Sequence, residues 1–460
     1  MKETRMQLNF LGLWDQQAIV DKLEAMAAQG WMIQKMGNFF WTYTKIEPRN
    51  RRFWVTYFPT VSPYDPGPSQ GQLTREELCA RDGWQLAVRR DVAQVFYTDR
   101  EDAVPIDTDP VLQVEAVRQA YNRRELPSRL ATTFLSGFYV FIQLREFFRD
   151  PAEFLCSNYH LFALLAWAVL FVFYLWGTVR DLLWLNRATR DAMEKGTFLP
   201  PRSYAGAEMV LTVLAILLVV FSLAGLDGGN VYILLWMGCM GLMFWVTASL
   251  RNFLKKQGFS AAFNRVVTTV TSVVLTMVLL GGVIWLGVSG GISTREESQP
   301  VGSYTIEGYT FDIYDDSLPL TVEDLVSLEA QWSREANFRS SFLLTQEQYR
   351  QDLIPGQGIT NYEMTYTIYR PANGWVYDTV RRGLINSRQD EVGDGYVFTD
   401  HYQQIDPTLW NAREVYQAYW SDSLLDTYLV CWEDKILEIK FYWQPTQEQI
   451  AAAAEILKEA

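Results

Sequence analysis

Five uninterrupted apolar runs occupy the middle of this 460-residue chain, and the last four of them contain no ionisable residue. A helix needs roughly 20 apolar residues to cross the hydrocarbon core of a bilayer. The pattern therefore predicts an integral membrane protein with five spans, at 130–146, 161–179, 209–226, 231–250 and 266–290. The first span has the shortest apolar stretch, 130–144, which leaves open a four-span alternative with that segment flat on the membrane surface.

Two polar blocks flank the apolar region, and each is the size of an ordinary domain. The fold class we expect is a multi-domain α+β membrane protein. Its predicted parts are a cytoplasmic α+β domain at 1–108, an amphipathic linker helix at 109–129, a transmembrane region at 130–290 and an extracytoplasmic α+β domain at 291–460.

The basic residues between the apolar runs predict the orientation. Arg180, Arg187, Arg190 and Lys195 follow the second run, whereas the turn after the third run, 227–230, has no basic residue. Since Lys and Arg are retained on the cytoplasmic side, we expect the N-terminus in the cytoplasm and the C-terminal domain outside it. In the four-span alternative the N-terminal domain also faces outward.

The distribution of charge excludes two classes of function. A formal net charge of −13 disfavours nucleic acid as a partner, because a phosphate-binding face needs clustered Lys and Arg. Ion-coupled transporters place ionisable residues inside their spans, and the interiors of these runs have none. The lipid bilayer is the partner that the sequence predicts most directly.

The N-terminal block contains a duplicated β-α-β-β unit, which we expect to form an antiparallel sheet with two helices on one face. The first copy has strand-like segments at 7–11, 32–36 and 39–46 and a helix at 15–29. The second has strand-like segments at 53–58, 85–89 and 92–97 and a helix near 75–82.

Structural roles are predicted for six residues of this unit. Each helix ends at a glycine, Gly30 or Gly83, that can take the left-handed cap conformation. Trp31 and Trp84 follow these glycines and are expected to pack on the core. Thr74 with Glu77 three residues later predicts a capping box at the start of the second helix.

These segments, "AAQGW" at 27–31, "RDGW" at 81–84 and "VFYTD" at 95–99, resemble a family of Gram-positive bacterial membrane proteins catalogued as domain of unknown function 2812. The resemblance covers about residues 6–99 and, loosely, the apolar runs and the C-terminal block. It implies a regulatory setting, because members of that family are often encoded near transcriptional regulators. It supplies no catalytic residues.

Candidate chemistry is sparse. His401 is the single histidine of the C-terminal block, and no nucleophile elbow accompanies it. The chain has no zinc-binding pattern of His or Cys, so we predict no metal site, no cofactor and no enzymatic activity. Cys156 and Cys431 would both face the oxidising exterior, where they either form a disulfide or remain free thiols.

Three functions remain open. The first is a signal-relay or regulatory protein that links an outer domain, binding a peptide or an envelope ligand, to a cytoplasmic domain that binds a protein partner. The second is a structural or accessory subunit of a membrane complex such as an exporter. The third is an envelope enzyme, which His160 and His401 would have to serve.

Overall fold

The computed structural model describes residues 3–37, 40–201, 203–224, 229–288, 300–306, 309–355, 362–387, 391–393, 396–398, 400–420 and 423–460. The chain is a mixed α/β protein that divides into two compact units. The first unit contains Met1–Tyr139, Ala166–Leu218 and Ile233–Gly291, and the second contains Val140–Leu165, Val219–Tyr232 and Ile292–Ala460.

The N-terminal domain, which belongs to the first unit, repeats one topology twice. The first copy is β1 (Thr4–Leu8), α1 (Gln16–Ala28), β2 (Trp31–Met36) and β3 (Phe40–Lys45). The second is β4 (Arg52–Tyr57), α2 (Gln70–Arg81), β5 (Gln85–Arg90) and β6 (Ala93–Thr98). The antiparallel sheets have the matching orders β1-β3-β2 and β4-β6-β5.

The two copies also share an irregularity in strand pairing. The β2–β3 register shifts between Ile33 and Lys35, and the β5–β6 register shifts between Leu86 and Val88. Ile33 and Leu86 both lie three residues after the glycine that ends the preceding helix. The duplicated unit predicted from the sequence is therefore present in detail, although its six strands form two three-stranded sheets rather than one sheet.

The glycines that end α1 and α2 have the left-handed conformation. Gly30 has a φ of +84° and Gly83 a φ of +87°, values that a residue with a Cβ rarely adopts. Trp84 is fully buried, and its Nε1 donates to the Val104 carbonyl at 2.7 Å. Trp31 is half-buried and packs at the edge of the domain core.

The predicted start of α2 is wrong by about one turn. The N-cap is Ser69, whose Oγ accepts from the Gln72 amide at 3.3 Å, while the Gln72 side chain accepts from the Ser69 amide at 3.0 Å. Thr74 lies inside the helix and donates to the Gln70 carbonyl, and Glu77 is exposed. Both sites match the Ser/Thr-x-x-Glu/Gln pattern, and the earlier one gives the longer helix.

Between the duplicated unit and the C-terminal domain, the described part of the chain forms seven helices. They are α3 (Pro110–Arg124), α4 (Leu126–Arg149), α5 (Pro151–Leu155), α6 (Asn158–Lys195), α7 (Ala205–Ala224), α8 (Gly229–Lys256) and α9 (Ala261–Val288). Asp109 caps α3 by accepting from the Val111 amide at 2.8 Å. Val117, Ala120 and Tyr121 of α3 are buried in the core of the N-terminal domain, so this helix is an integral part of that domain.

The prediction of five membrane spans is wrong. Among the residues described, two helices are long and apolar enough to cross a membrane, α6 and the Ala261–Leu279 part of α9. The first predicted span falls in α4, where its 15-residue apolar stretch ends at Arg145 and Glu146. In α7 the described apolar segment, Gly206–Ser222, is shorter than a span requires. The predicted spans 209–226, 231–250 and 266–290 also include residues outside those described.

The C-terminal domain, part of the second unit, is built on one antiparallel sheet of seven strands in the order β14-β15-β16-β17-β11-β10-β9. These are β9 (Trp332–Ser340), β10 (Leu344–Leu353), β11 (Met364–Pro371), β14 (Asp400–Ile405), β15 (Glu414–Trp420), β16 (Ser423–Cys431) and β17 (Ile436–Phe441). Two hairpins accompany it, β7 (Gly302–Ile306) with β8 (Tyr309–Ile313) and β12 (Glu391–Gly393) with β13 (Tyr396–Phe398).

Each face of the seven-stranded sheet has its own core. Residues alternate along the central strands, so that Leu437 and Ile439 belong to one cluster while Ile436 belongs to the other. The helix α12 (Gln447–Glu459) and the short α10 (Val322–Leu325) cover the first face. The helix α11 (Gly374–Asn386), together with α5, covers the second.

Candidate functional site

A cluster of charged and polar side chains joins the N-terminal domain to the helices of the first unit. We call this cluster the charged junction. Its members come from the start of α1, the end of α3, and from α4, α6 and α7. They are Asp15, Tyr121, Glu125, Arg129, Arg180, Asp181 and Glu208.

Arg129 of α4 contacts both Glu125, the residue between α3 and α4, and Asp181 of α6. Its Nε donates to Glu125 Oε1 at 3.0 Å, and its Nη1 lies 3.3 Å from Asp181 Oδ2. The side chains of Arg129 and Asp181 are only 15% and 16% exposed, so solvent screens this pair weakly. Burial disfavours the charged guanidinium, but Asp181 and Glu125 together outweigh it and raise the pKa of Arg129. A Cβ on Gly177 would lie 2.6 Å from Arg129 Nη1, so this glycine leaves room for the arginine against α6.

Arg180 extends the cluster to α7. Its Nε donates to Asp181 Oδ1 at 2.7 Å, and its Nη2 lies 3.2 Å from Glu208 Oε1. The guanidinium also stacks between two rings, 5.0 Å from the centroid of Trp176 and 4.7 Å from that of Tyr204. This combination of planar stacking and forked hydrogen bonding suits arginine and is not available to lysine.

Asp15 brings the first turn of α1 into the charged junction. Its Oδ2 accepts from the Gly12 amide at 2.7 Å. Burial raises the pKa of the Asp15 carboxyl, and the neighbouring Glu208 adds to the rise, against lowering by Gly12, Ser203 and Arg180. The surroundings of Asp15 therefore disfavour its charged form.

Apolar packing fixes the N-terminal domain on α6 beside these charges. Leu185 of α6 belongs to the same buried cluster as Ile19 and Tyr121. Trp14 stacks on Tyr57 with ring centroids 5.1 Å apart, and meets Tyr121 edge-on at 5.7 Å. The later part of α6 is thus built into the N-terminal domain by both charge and apolar burial.

The C-terminal domain packs on α5 and the start of α6, within the second unit. We call these contacts the apolar junction. Ala152, Leu155 and Cys156 are buried with Val380 of α11 in one cluster. The main chain adds polar contacts: Ser341 Oγ donates to the Leu155 carbonyl at 2.6 Å, and the Phe342 amide donates to Asn158 Oδ1 at 3.2 Å. Gly383 allows α11 to approach closely, because a Cβ there would lie 2.8 Å from the Pro151 ring.

Cys156 and Cys431, for which a disulfide and free thiols were both open, lie in the same buried cluster of the second unit and are free thiols in this structure. Cys156 Sγ donates to the Glu153 carbonyl at 3.1 Å. Burial raises the pKa of Cys156 to about 11 and that of Cys431 to about 12, which disfavours the reactive thiolate. Whether they form a disulfide in the oxidising exterior stays a prediction.

Each of the two histidines packs against aromatic rings. His160, near the start of α6, packs on the rings of Phe154 and Tyr159 at 5.2 Å each. His401 is exposed on β14 and stacks on Tyr419 with centroids 5.6 Å apart. In the described part of the chain, no group of three or more His, Cys, Asp or Glu side chains could hold a metal ion.

The charged junction was not predicted from the sequence. Arg180 was interpreted only as a marker of orientation, and Asp181, the next residue, was given no role. Arg129 and Glu208 each adjoin an apolar run, and Asp181 lies two residues beyond one.

Comparison with family models, with curated proteins and with solved structures finds no match for this chain. The resemblance to the family described above therefore stays a prediction, and the site must be interpreted from its own geometry.

Proposed function

We propose that this chain is a non-enzymatic regulatory membrane protein that relays the state of its C-terminal domain to its N-terminal domain through α6. The observation that carries the proposal is the packing along this single helix of 38 residues. Its first residues are held by the C-terminal domain within the second unit. Asp181 and Leu185, further along, are held by the N-terminal domain within the first.

A membrane location is supported by the surfaces of the two candidate spans. Only 22% of the apolar window of α6 and 11% of that of α9 are buried within the protein. Val172 and Met277 are examples of side chains left 62% and 68% exposed. Contiguous apolar surface of this kind is unfavourable in water and favourable in lipid.

The basic residues support one orientation of these spans. Arg187, Arg190 and Lys195 lie near the end of α6, and Arg265 lies near the start of α9. By the positive-inside rule these ends face the cytoplasm. The N-terminal domain packs on the basic part of α6 and is therefore proposed to be cytoplasmic. Since α6 then begins outside, this orientation also requires the chain to cross the membrane once before α6, through α4. The C-terminal domain follows the outward-running α9 and is proposed to be extracytoplasmic.

A continuous helix can transmit a rigid displacement, because its rise of about 1.5 Å per residue is fixed by backbone hydrogen bonds. At Asp181 such a displacement would move the acceptor shared by Arg129 and Arg180. Ion pairs with two discrete arrangements are suitable switching elements, since their geometry changes in steps. The ligand in this proposal is a peptide or envelope component on the outer domain, and the output is a cytoplasmic protein partner.

A reversible lock of the apolar junction tests the relay. In the double variant Pro151→Cys/Gly383→Cys, the two Cβ atoms would be about 3.3 Å apart, close to the roughly 3.5–4.5 Å that a disulfide needs. Hydrogen exchange of the full-length protein in lipid nanodiscs is then measured with and without reductant. We expect oxidation to slow exchange in α6 near Asp181 and in α1 and α3, as well as in the C-terminal domain.

The Pro151→Cys single variant is the control, because it experiences the same oxidant without forming the lock and does not place a Cβ of residue 383 against the Pro151 ring. A change of exchange confined to residues 300–460 would contradict the relay. In that case stable recovery of the protein with other membrane proteins would favour an accessory subunit of a larger complex. Accessibility of Arg123→Cys only from the outer face of membranes would contradict the proposed orientation.

A further inference from the structure

A cavity of about 820 Å³ lies in the first unit, beside the charged junction. Its walls are the turn between β5 and β6, the loop at 61–68, the end of α3 and the last turns of α8. Five basic side chains line it, Arg89, Arg90, Arg124, Arg251 and Lys255, against three acidic ones. In a chain with a formal net charge of −13, this excess of positive charge is a local feature.

Ion pairing leaves part of that charge uncompensated. Arg124 pairs with Asp91 at 2.7 Å, Arg89 Nε donates to Glu76 at 2.7 Å, and Glu125 is held by Arg129. Arg90 and Arg251, in contrast, form no ion pair within 4 Å among the residues described, although Asp91 interacts electrostatically with Arg90. Lys255 donates only to the neutral carbonyl of Pro63, at 3.0 Å.

Two neighbouring residues at the β5–β6 turn have unsatisfied polar atoms of opposite kinds. Arg90 Nη1 is a buried donor and Asp91 Oδ1 a buried acceptor, and neither has a hydrogen-bond partner in the described structure. Burial also lowers the pKa of Arg90. Buried polar atoms without partners are rare in proteins because each costs free energy. Both atoms are closed off from solvent as they stand, so the two side chains would have to turn toward the cavity to meet an anionic oxygen and a hydroxyl of a bound group.

We propose that this cavity binds a phosphorylated polyol, with the phosphate oxygens on Arg90, Arg251 and Lys255 and a hydroxyl donating to Asp91 Oδ1. Planar guanidinium groups match phosphate geometry. The same chemistry is offered by the phosphoglycerol head group of an anionic lipid and by free glycerol phosphate. Binding of a phosphorylated polyol to the first unit is independent of the relay, whereas the choice of a lipid rests on the membrane location proposed above.

The cavity wall is fastened to the base of a candidate span, which favours the lipid. Asn264 Nδ2, near the start of α9, donates to the Tyr64 carbonyl at 3.1 Å, and Arg265 lies 5.8 Å from the Tyr64 ring centroid. Together with Lys255 these contacts hold the loop at 61–68 against α8 and α9. Basic pockets at the cytoplasmic ends of membrane helices are suited to anionic head groups.

The test measures binding to the full-length protein by native mass spectrometry and by thermal stabilisation. The probes are phosphatidylglycerol, phosphatidylserine, phosphatidylcholine and, in solution, glycerol 3-phosphate. We expect phosphatidylglycerol to bind more tightly than phosphatidylserine, which is anionic but lacks the polyol. Arg90→Gln and Arg251→Gln should each weaken it about tenfold or more, the loss of a charge-assisted contact.

Arg123→Gln and Lys256→Gln are matched controls, because these exposed residues adjoin Arg124 and Lys255 but do not line the cavity. Arg90→Lys, which keeps the charge without the fork, should fall between wild type and Arg90→Gln. Binding of glycerol 3-phosphate alone would support the site with a soluble ligand. Equal binding of all four probes, or equal losses in cavity and control variants, would overturn the proposal.

Discussion

The two junctions hold their domains by different forces. At the charged junction, Asp181 is shared between Arg129 and Arg180, and the arginine pairs continue to Glu125 and Glu208. At the apolar junction, α5 is buried against α11, and the polar contacts are mainly hydrogen bonds to the main chain. One attachment is electrostatic and directional, and the other depends on close packing.

Because of this difference, the two ends of the proposed relay are expected to behave differently. Apolar burial is non-directional and is not weakened by ionic screening. A set of partly buried ion pairs allows few arrangements, because any lost partner leaves an uncompensated charge. The apolar junction is suited to holding a domain on a helix, and the charged junction to registering where that helix lies.

The largest effect is expected from Asp181→Asn. Arg129 and Arg180 would lose their shared anion, and the free energy of unfolding of the first unit should fall by about 2–4 kcal/mol, less than for a fully buried pair. Asp191→Asn is the matched control on the same helix, because Asp191 pairs at i,i+4 with Lys195, whose side chain is 63% exposed. That change should cost about 0.5 kcal/mol or less. Similar costs for both variants in chemical denaturation would show that the charged junction is no stronger than an ordinary ion pair within a helix.

Gly383→Ala should weaken the apolar junction by about 1–3 kcal/mol through overpacking, because its Cβ would meet the Pro151 ring. Gly374→Ala, on the same helix α11, introduces a methyl group with no heavy atom within 4 Å and should be close to neutral. Thermal unfolding of the C-terminal domain, followed by hydrogen exchange, distinguishes the two. The loss in Gly383→Ala should not depend on salt, whereas that in Asp181→Asn should.

The true start of α2 gives a smaller, local effect. Ser69→Ala removes the N-cap acceptor and should cost about 1 kcal/mol. Thr74→Ala, which replaces an exposed residue within the helix, should be neutral or slightly stabilising because alanine has the higher helix propensity. Equal losses of stability in the two variants would contradict Ser69 as the N-cap of α2.

The smallest effect is the pH dependence at Asp15. Its folded-state pKa is raised above the ordinary value of 3.8, mainly by burial, so the folded protein binds this proton more tightly than the unfolded chain. The energetic penalty of Asp15 is therefore present above the raised pKa and is lost as pH falls through it. The stability of wild type relative to Asp15→Asn should increase on acidification toward pH 3.8. A relative stability that decreased over that range would contradict the direction.

Local patterns in the sequence were enough to find the duplicated unit. Gly30 and Gly83 mark helix ends, and the strand periodicity around them needs no information about distant residues. The choice between Ser69 and Thr74 could not be made this way, because both satisfy the same local rule. Periodicity also does not show whether six strands form one sheet or two.

The charged junction depends on contacts between residues far apart in the chain, such as Arg129 and Asp181. Their separation is set by how α4 and α6 pack, and Gly177 contributes only once the arginine lies across it. The predicted number of spans failed for a related reason. Each apolar run was counted as a span without regard to the helix that contains it. In α4 the run at 130–144 ends at Arg145 and Glu146, and in α7 the described apolar segment is only Gly206–Ser222.

The central claim is that α6 connects the two junctions, and a lock in the Asp181→Asn background tests it most directly. Hydrogen exchange of β2 and β3 is compared before and after oxidation of Pro151→Cys/Gly383→Cys, with Asp181 present and with Asn in its place. The account predicts a change in these strands that requires Asp181. The same change in both backgrounds, or none in either, would contradict it.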